Sequence, residues 1–155
     1  MKYVLLIYSN PENWEPPVFR TDPRFLALDE AEREAVAGQA EALRREITET
    51  GELIAGVALA GPARASTIRV RDGAAVATDG PYVEAKEQLA GYLLVDCASP
   101  ERAAEIAARI PDARFGLVEV HPVAEEPVMP PKAAPGGLGG SSPLASTVMR
   151  RPTGS

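Results

Sequence analysis

Cysteine and histidine are almost absent from this chain. Cys97 is the single cysteine among 155 residues, so no disulfide can close within the chain and a disulfide-stapled secreted scaffold is excluded. His121 is the single histidine, and one Cys with one His cannot build a Cys/His zinc cluster inside one chain. A carboxylate-only metal site has no recognisable loop here, so neither a metal nor a cofactor is expected. Basic excess is missing too: 16 Lys and Arg stand against 22 Asp and Glu, a formal charge of −6. Phosphate affinity comes from clustered Lys and Arg, so no nucleic-acid partner is expected. The pairs Arg44-Arg45 and Arg69-Arg71 read as solvated faces. Long apolar runs are lacking as well. The run YVLLIY after Lys2 is shorter than a signal peptide's apolar region and far below the ~18 residues that span a bilayer. A cytoplasmic protein without a membrane partner is the expectation.

What is present is ordinary globular material. Hydrophobic residues make up 45% and charged residues 25%, enough for one core in a chain of one-domain length. Tyr3 to Tyr8 is apolar at every position, which fits a strand covered on both faces. The stretch SNPENWEPP follows as a loop, with Trp14 read as an anchor that pins it to the body. Asp22-Pro23 suggests a short helical turn. Asp29 and Glu32 have the form of a capping box, Val36, Ala40, Leu43 and Ile47 make one apolar stripe, and Gly51 supplies the stop, so a long helix is predicted. Glu52 to Leu59 reads as a strand. STIRVR-DG-AAVAT reads as a hairpin because Asp72-Gly73 tolerates the positive φ angles of a tight turn. Gly91 to Cys97 is another strand. Ser99-Pro100-Glu101 starts a second helix with Ala103, Ile106, Ala107 and Ile110 as its stripe, ended by Pro111. Phe115 to Val123 is the last strand.

Without the hairpin the order is strand, helix, strand, strand, helix, strand. That is an α+β, ferredoxin-like βαββαβ arrangement with an inserted hairpin, its sheet covered by helices on one side. Strands apolar on both faces call for a cover on the second side, and a second copy of the chain is the simplest one. From Val123 onward the composition changes. Residues 127–155 hold six prolines, a GGLGG run and no aromatic, so the domain is set at 1–123 and residues 124–155 are expected to be a disordered tail. The segment 127–155 carries Lys132, Arg150 and Arg151 with no acid, leaving 13 basic against 22 acidic residues, net −9, in residues 1–126.

The stretch TDGPYVEAKEQLAGYLLVDC, together with MKYVLLIY, GVAL, TIRVRDG and GLVEVHPV in the same order, resembles the DGPF-type branch of the YCII-related family. The resemblance covers about residues 1–123 and implies a dimeric α+β barrel, two ferredoxin-like subunits packed sheet to sheet around a cavity. Tyr82 stands where that branch usually has Phe, and His121 where it more often has Arg. The His–Asp pair of the more enzyme-like YCII proteins, with its His near the first strands, has no counterpart, so that catalytic precedent does not transfer.

Candidate chemistry gathers at two places. Asp79-Gly80-Pro81 is a shaped turn, and it can also aim Asp79, Tyr82, Glu84 and Lys86 at a cavity. Glu84, Lys86 and Glu87 form a mixed-charge cluster that can hold an acid–base pair, although such a cluster is usually a solvated face or an interface salt-bridge network. Strand alternation puts Leu117, Glu119 and His121 on one face and Val118 and Val120 on the other. Glu119 and His121, two apart and so about 7 Å from one another along the strand, are expected to flank a ligand rather than bond directly. An imidazole is the natural proton carrier at neutral pH, although a strand-end His at the surface is the simpler reading. Asp96 and Cys97 read as a turn residue and a small buried residue. The lead expectation is a homodimer holding a small-molecule ligand and doing cofactor-free acid–base chemistry of isomerase, lyase or hydrolase type. His121, Asp79 and Glu84 are its catalytic candidates, and Tyr82, Lys86, Tyr92 and Glu119 its substrate-binding candidates. The alternative is a non-enzymatic accessory or regulatory protein associated with an alternative sigma factor, an association the resemblance suggests.

Overall fold

Helix starts written in the sequence set the frame. Asp29 accepts a hydrogen bond from the Glu32 N–H at 2.8 Å and opens the long helix α2 (Glu30–Glu49). Asp22 does the same for Arg24 at 2.8 Å ahead of the short α1 (Pro23–Leu26), whose Pro takes the first position. Ser99 accepts from the Arg102 N–H at 3.1 Å and opens α3 (Pro100–Arg109). Gly51 closes the α2 segment at φ +76°, the left-handed conformation glycine adopts without a Cβ clash. The computed structural model describes residues 1–11, 13–83 and 85–125. The expected tail lies outside the described residues from position 126 on.

The main sheet has four strands in the order β2 (Leu53–Ala58), β5 (Gln88–Asp96), β1 (Lys2–Ser9), β6 (Leu117–Pro122), every neighbour antiparallel. With α2 and α3 as its helices this is the ferredoxin-like α+β arrangement. The stripe of α2 and that of α3 cover one face. Leu43, Ile47, Ala103, Ile106, Ala107 and Ile110 pack with Tyr3, Leu5 and Val95 in one buried cluster. Burying such side chains contributes roughly 1.5–3 kcal/mol each, which makes this the main stabilising layer. A smaller cluster joins Phe19, Phe25, Val36 and Phe115, with edge-to-face ring pairs at 5.4 and 5.8 Å. Trp14 is half-buried against Gly61, where a Cβ would come within 3.0 Å of the indole, so the aromatic does anchor its loop.

The hairpin forms as read: β3 (Ser66–Arg71) and β4 (Ala74–Asp79) turn through Asp72 at φ 51° and Gly73 at φ 77°. It is a two-stranded sheet of its own.

The last strand begins two residues later than the pattern suggests. Pro111 ends α3 and also opens a five-residue helix, α4 (Pro111–Phe115). A proline at the first helical position loses no intrahelical bond, so one residue serves as both stop and start. Phe115 consequently sits in the aromatic cluster and not in β6. Gly116 then lies against β1, where a Cβ would fall 2.2 Å from the Tyr8 carbonyl oxygen.

Candidate functional site

Register fixes which side chains share the face that the helices leave open. Leu6 pairs with Tyr92 on one side and Glu119 on the other, and Tyr92 pairs in turn with Val57. The next row is Ala55, Leu94, Val4 and His121. Tyr8 pairs with Leu117 and, past a bulge, with Leu89. Side chains alternate along a strand, so all of these point away from the helix-facing Tyr3, Leu5 and Leu93. This second face is therefore apolar over most of its extent. Val4, Leu6, Tyr8, Tyr92 and Leu94 are only half-buried, while Val57, Leu89 and Leu117 are exposed. The two-sided apolar character of β1 and β5 is real.

Within that face stands a small polar cluster. His121 Nε2 and Glu119 Oε2 are 3.3 Å apart. The expectation that these residues flank a ligand without touching is corrected: their backbones are two positions apart, but a Glu and a His lean along the strand far enough to close the gap. Tyr8, diagonal to Glu119 across the β1–β6 ladder, is the third member. Its phenol hydroxyl stabilises the Glu119 carboxylate, holding that carboxyl below the ordinary carboxylate range, with His121 adding to the effect. In return, the bond to Glu119 raises the Tyr8 phenol above its usual pKa, with burial adding to it. Tyr92 is on the same face but separated from Glu119 by Leu6, about 10 Å away at two strand spacings.

The other candidates sit elsewhere. Asp79 ends β4 opposite Ser66, and the turn after it is held by the Gly80 N–H donating to the Ala65 carbonyl at 2.7 Å. Thr67 Oγ1 donates to the Gly80 carbonyl at 2.9 Å, and Gly80 itself is at φ +92°. Tyr82 is 73% exposed, and the Arg69 guanidinium lies over its ring at 4.8 Å. Lys86 is exposed, and Glu84 lies outside the described residues. Among the described residues none of these bonds to Glu119 or His121. Cys97 is a buried free thiol, and Asp96 pairs with the Met1 ammonium at 3.0 Å. No group of three or more potential metal ligands occurs among the described residues. No helix there is long and apolar enough to cross a membrane.

The family model for the YCII-related domain matches residues 1–127. The chain belongs to the YCII-related domain family. An uncharacterised protein of Rhizobium meliloti (strain 1021) is similar to it, 36% identical over 100 residues, which is 63% of this chain and 81% of that relative.

Three polar residues of this YCII-related domain escape a reading by motif. Tyr8 looks like one more apolar strand residue, although its two-residue alternation with Leu6 already placed it on the open face. Ser9 and Asp112 lie on the helix side and are buried, at 0% and 7% exposure. Burial pushes the Asp112 carboxyl up to about 6. Ser9 sits at the end of an apolar run and Asp112 behind a helix-starting proline, where each passes for a turn residue.

Proposed function

We propose that this YCII-related domain binds a small metabolite on the open face of its sheet and moves a proton on it without a cofactor. The observation that carries the reading is the Tyr8–Glu119–His121 cluster, a set of interacting polar groups standing in an otherwise apolar, uncovered face. A second copy laid against that face turns it into a shared cavity with apolar walls and a few polar groups, the usual make-up of a ligand site. In this arrangement His121 gives or takes the proton, Glu119 orients the ring, and Tyr8 fixes Glu119. Tyr92 shapes the opposite wall. Asp79 at the end of the hairpin and Tyr82 and Lys86 after it serve as positioning groups at the cavity rim, and Glu84, which lies outside the described residues, is grouped with them by its place in the motif. Isomerisation, elimination and hydrolysis of a small polar or aromatic compound all need no more than this.

Sedimentation velocity and a ligand screen test the reading together. The full chain is expected to sediment as a dimer, and Leu6→Glu or Leu94→Glu as a monomer. In a metabolite thermal-shift screen, stabilising compounds are expected to lose their effect in the Leu6→Glu and His121→Ala variants. A wild-type monomer, or hits that survive both substitutions, would sink the proposal.

A further inference from the structure

The helix-covered face of the same sheet holds a cavity of about 510 Å³. Its cause is local sequence. On that face β2 carries Gly56 and Ala58, and Gly91 of β5 stands beside Ala58, so the floor has almost no side chains. A Cβ on Gly91 would fall 2.4 Å from the Val57 carbonyl oxygen, which ties the small residue to the close approach of the two strands. Ile7, Leu43, Ile47 and Leu53 form the walls, and the Val18-Phe19 segment closes one side. The volume is that of a small-ligand pocket, many times the ~30 Å³ share of one water.

Two charged residues line this largely apolar surround, the buried Asp112 and Arg44 of α2, which is exposed to solvent. Asp112 lines the cavity at the start of α4, is 7% exposed, and its Oδ1 takes no hydrogen bond. Ser9 Oγ, fully buried, is likewise without a partner. Gly116 brings the two segments together, since its Cβ position lies 2.2 Å from the Tyr8 carbonyl and 3.3 Å from that of Asp112. Asp22, whose charge acts on Asp112, is itself occupied: it accepts from the Arg24 backbone N–H at 2.8 Å and from the Arg24 guanidinium at 3.2 and 3.3 Å. Among the described residues no cation pairs with Asp112. A buried carboxylate oxygen with no donor costs on the order of 1–3 kcal/mol or more, and such a group in a fold calls for a missing partner. A bridging water can satisfy the oxygen but leaves the apolar volume unused.

We propose that this cavity is a second ligand site, which takes a small amine with an apolar or aromatic body, its ammonium group donating to Asp112. The hydrocarbon part fills the space over Gly56, Ala58 and Gly91 against Leu43 and Ile47. The site is on the opposite side of the sheet from the Tyr8–Glu119–His121 cluster.

Calorimetric titration of the full chain with 2-phenylethylamine, and in parallel with 2-phenylethanol, tests it. The amine is expected to bind at least tenfold more tightly than the alcohol of the same skeleton. Binding is expected to drop at least tenfold in Asp112→Asn and to vanish in Ala58→Trp, whose indole takes up the space over the floor from an exposed strand position. His121→Ala is expected to bind the amine as the wild type does. Intermolecular NOEs from the probe ring to Leu43 and Ile47 methyl groups locate it. No amine binding at millimolar concentration, equal affinity for amine and alcohol, or undiminished binding in Ala58→Trp overturns the proposal. Should Asp112→Asn misfold, the alcohol comparison and Ala58→Trp decide alone.

Discussion

Arg102 grips both carboxylate oxygens of Glu52, Nε to Oε2 at 2.9 Å and Nη2 to Oε1 at 2.8 Å, and so ties the start of α3 to the residue that leads into β2. Glu105 and Glu46 also approach the guanidinium, and Glu46 in addition pairs with Arg109, which links α2 to α3. A bidentate pair of this kind is geometrically specific and stronger than a single surface contact.

The Arg102 hydrogen bonds lower the Glu52 carboxyl to about 2, with Thr50 assisting. A carboxyl whose pKa is depressed in the folded state adds stability above its unfolded value, and that stability is lost as pH falls from about 4.5 towards 2. Arg102→Met is therefore expected to lower folding stability at pH 7 by about 1–2 kcal/mol, less than the full shift implies because the group borders solvent. Urea unfolding at pH 7 and pH 3 checks this, with a smaller difference between variant and wild type at pH 3.

Asp112 behaves in the opposite sense. Its carboxyl is raised in the folded state to about 6 from an ordinary 3.8, chiefly by burial, so ionising it weakens the fold. The penalty is absent below about pH 4, grows as pH rises through 6 and stays constant above. Asp112→Asn is expected to gain about 1–3 kcal/mol at pH 8 and little at pH 4, read from thermal or urea unfolding at both values. A group kept at a cost to stability is what a binding role leads one to expect.

On the open face, Glu119→Gln is expected to bring the Tyr8 phenol down towards its ordinary 10, because the hydrogen bond the phenol donates to the carboxylate is the largest cause of its raised value. A titration followed by NMR of ring-labelled tyrosine resolves Tyr8 from the other three tyrosines. An unchanged Tyr8 titration would break the proposed chain from Tyr8 through Glu119 to His121.

Gly91→Ala is expected to destabilise the domain by about 1–3 kcal/mol, since the new Cβ meets backbone rather than a side chain that can swing aside. Chemical denaturation measures it. The smaller change at Gly73, whose φ is positive on an exposed turn, should cost roughly 1 kcal/mol on substitution by Ala.

Most of the fold was legible because its signals are local. Asp29, Ser99 and Asp22 cap helices within three residues of themselves, and Asp72-Gly73 sets its own turn. Pro111 misled because a proline marks a helix end and a helix start with equal force, and the choice depends on Phe115 finding Phe25 far along the chain. Glu119 and His121 were legible as a face, through alternation, but not as a contact, since side-chain lean is not written in spacing. Tyr8 and Asp112 were missed for a different reason. Their importance arises from burial and from partners more than a hundred residues away or absent, neither of which leaves a short-range mark.

The hairpin that stands apart from the main sheet has a mechanical consequence. Among the described residues its ladder joins β3 only to β4, and Gly80 and Thr67 close it back on itself. Its amides can exchange with solvent through an opening that leaves the four-stranded sheet intact, so its protection should fall well short of that of β1 and β5. Asp79 at its end and the cation–π pair Arg69–Tyr82 then belong to this separate ladder and its flank, whereas Glu119 and His121 stand on β6, the edge strand of the main sheet that pairs with β1.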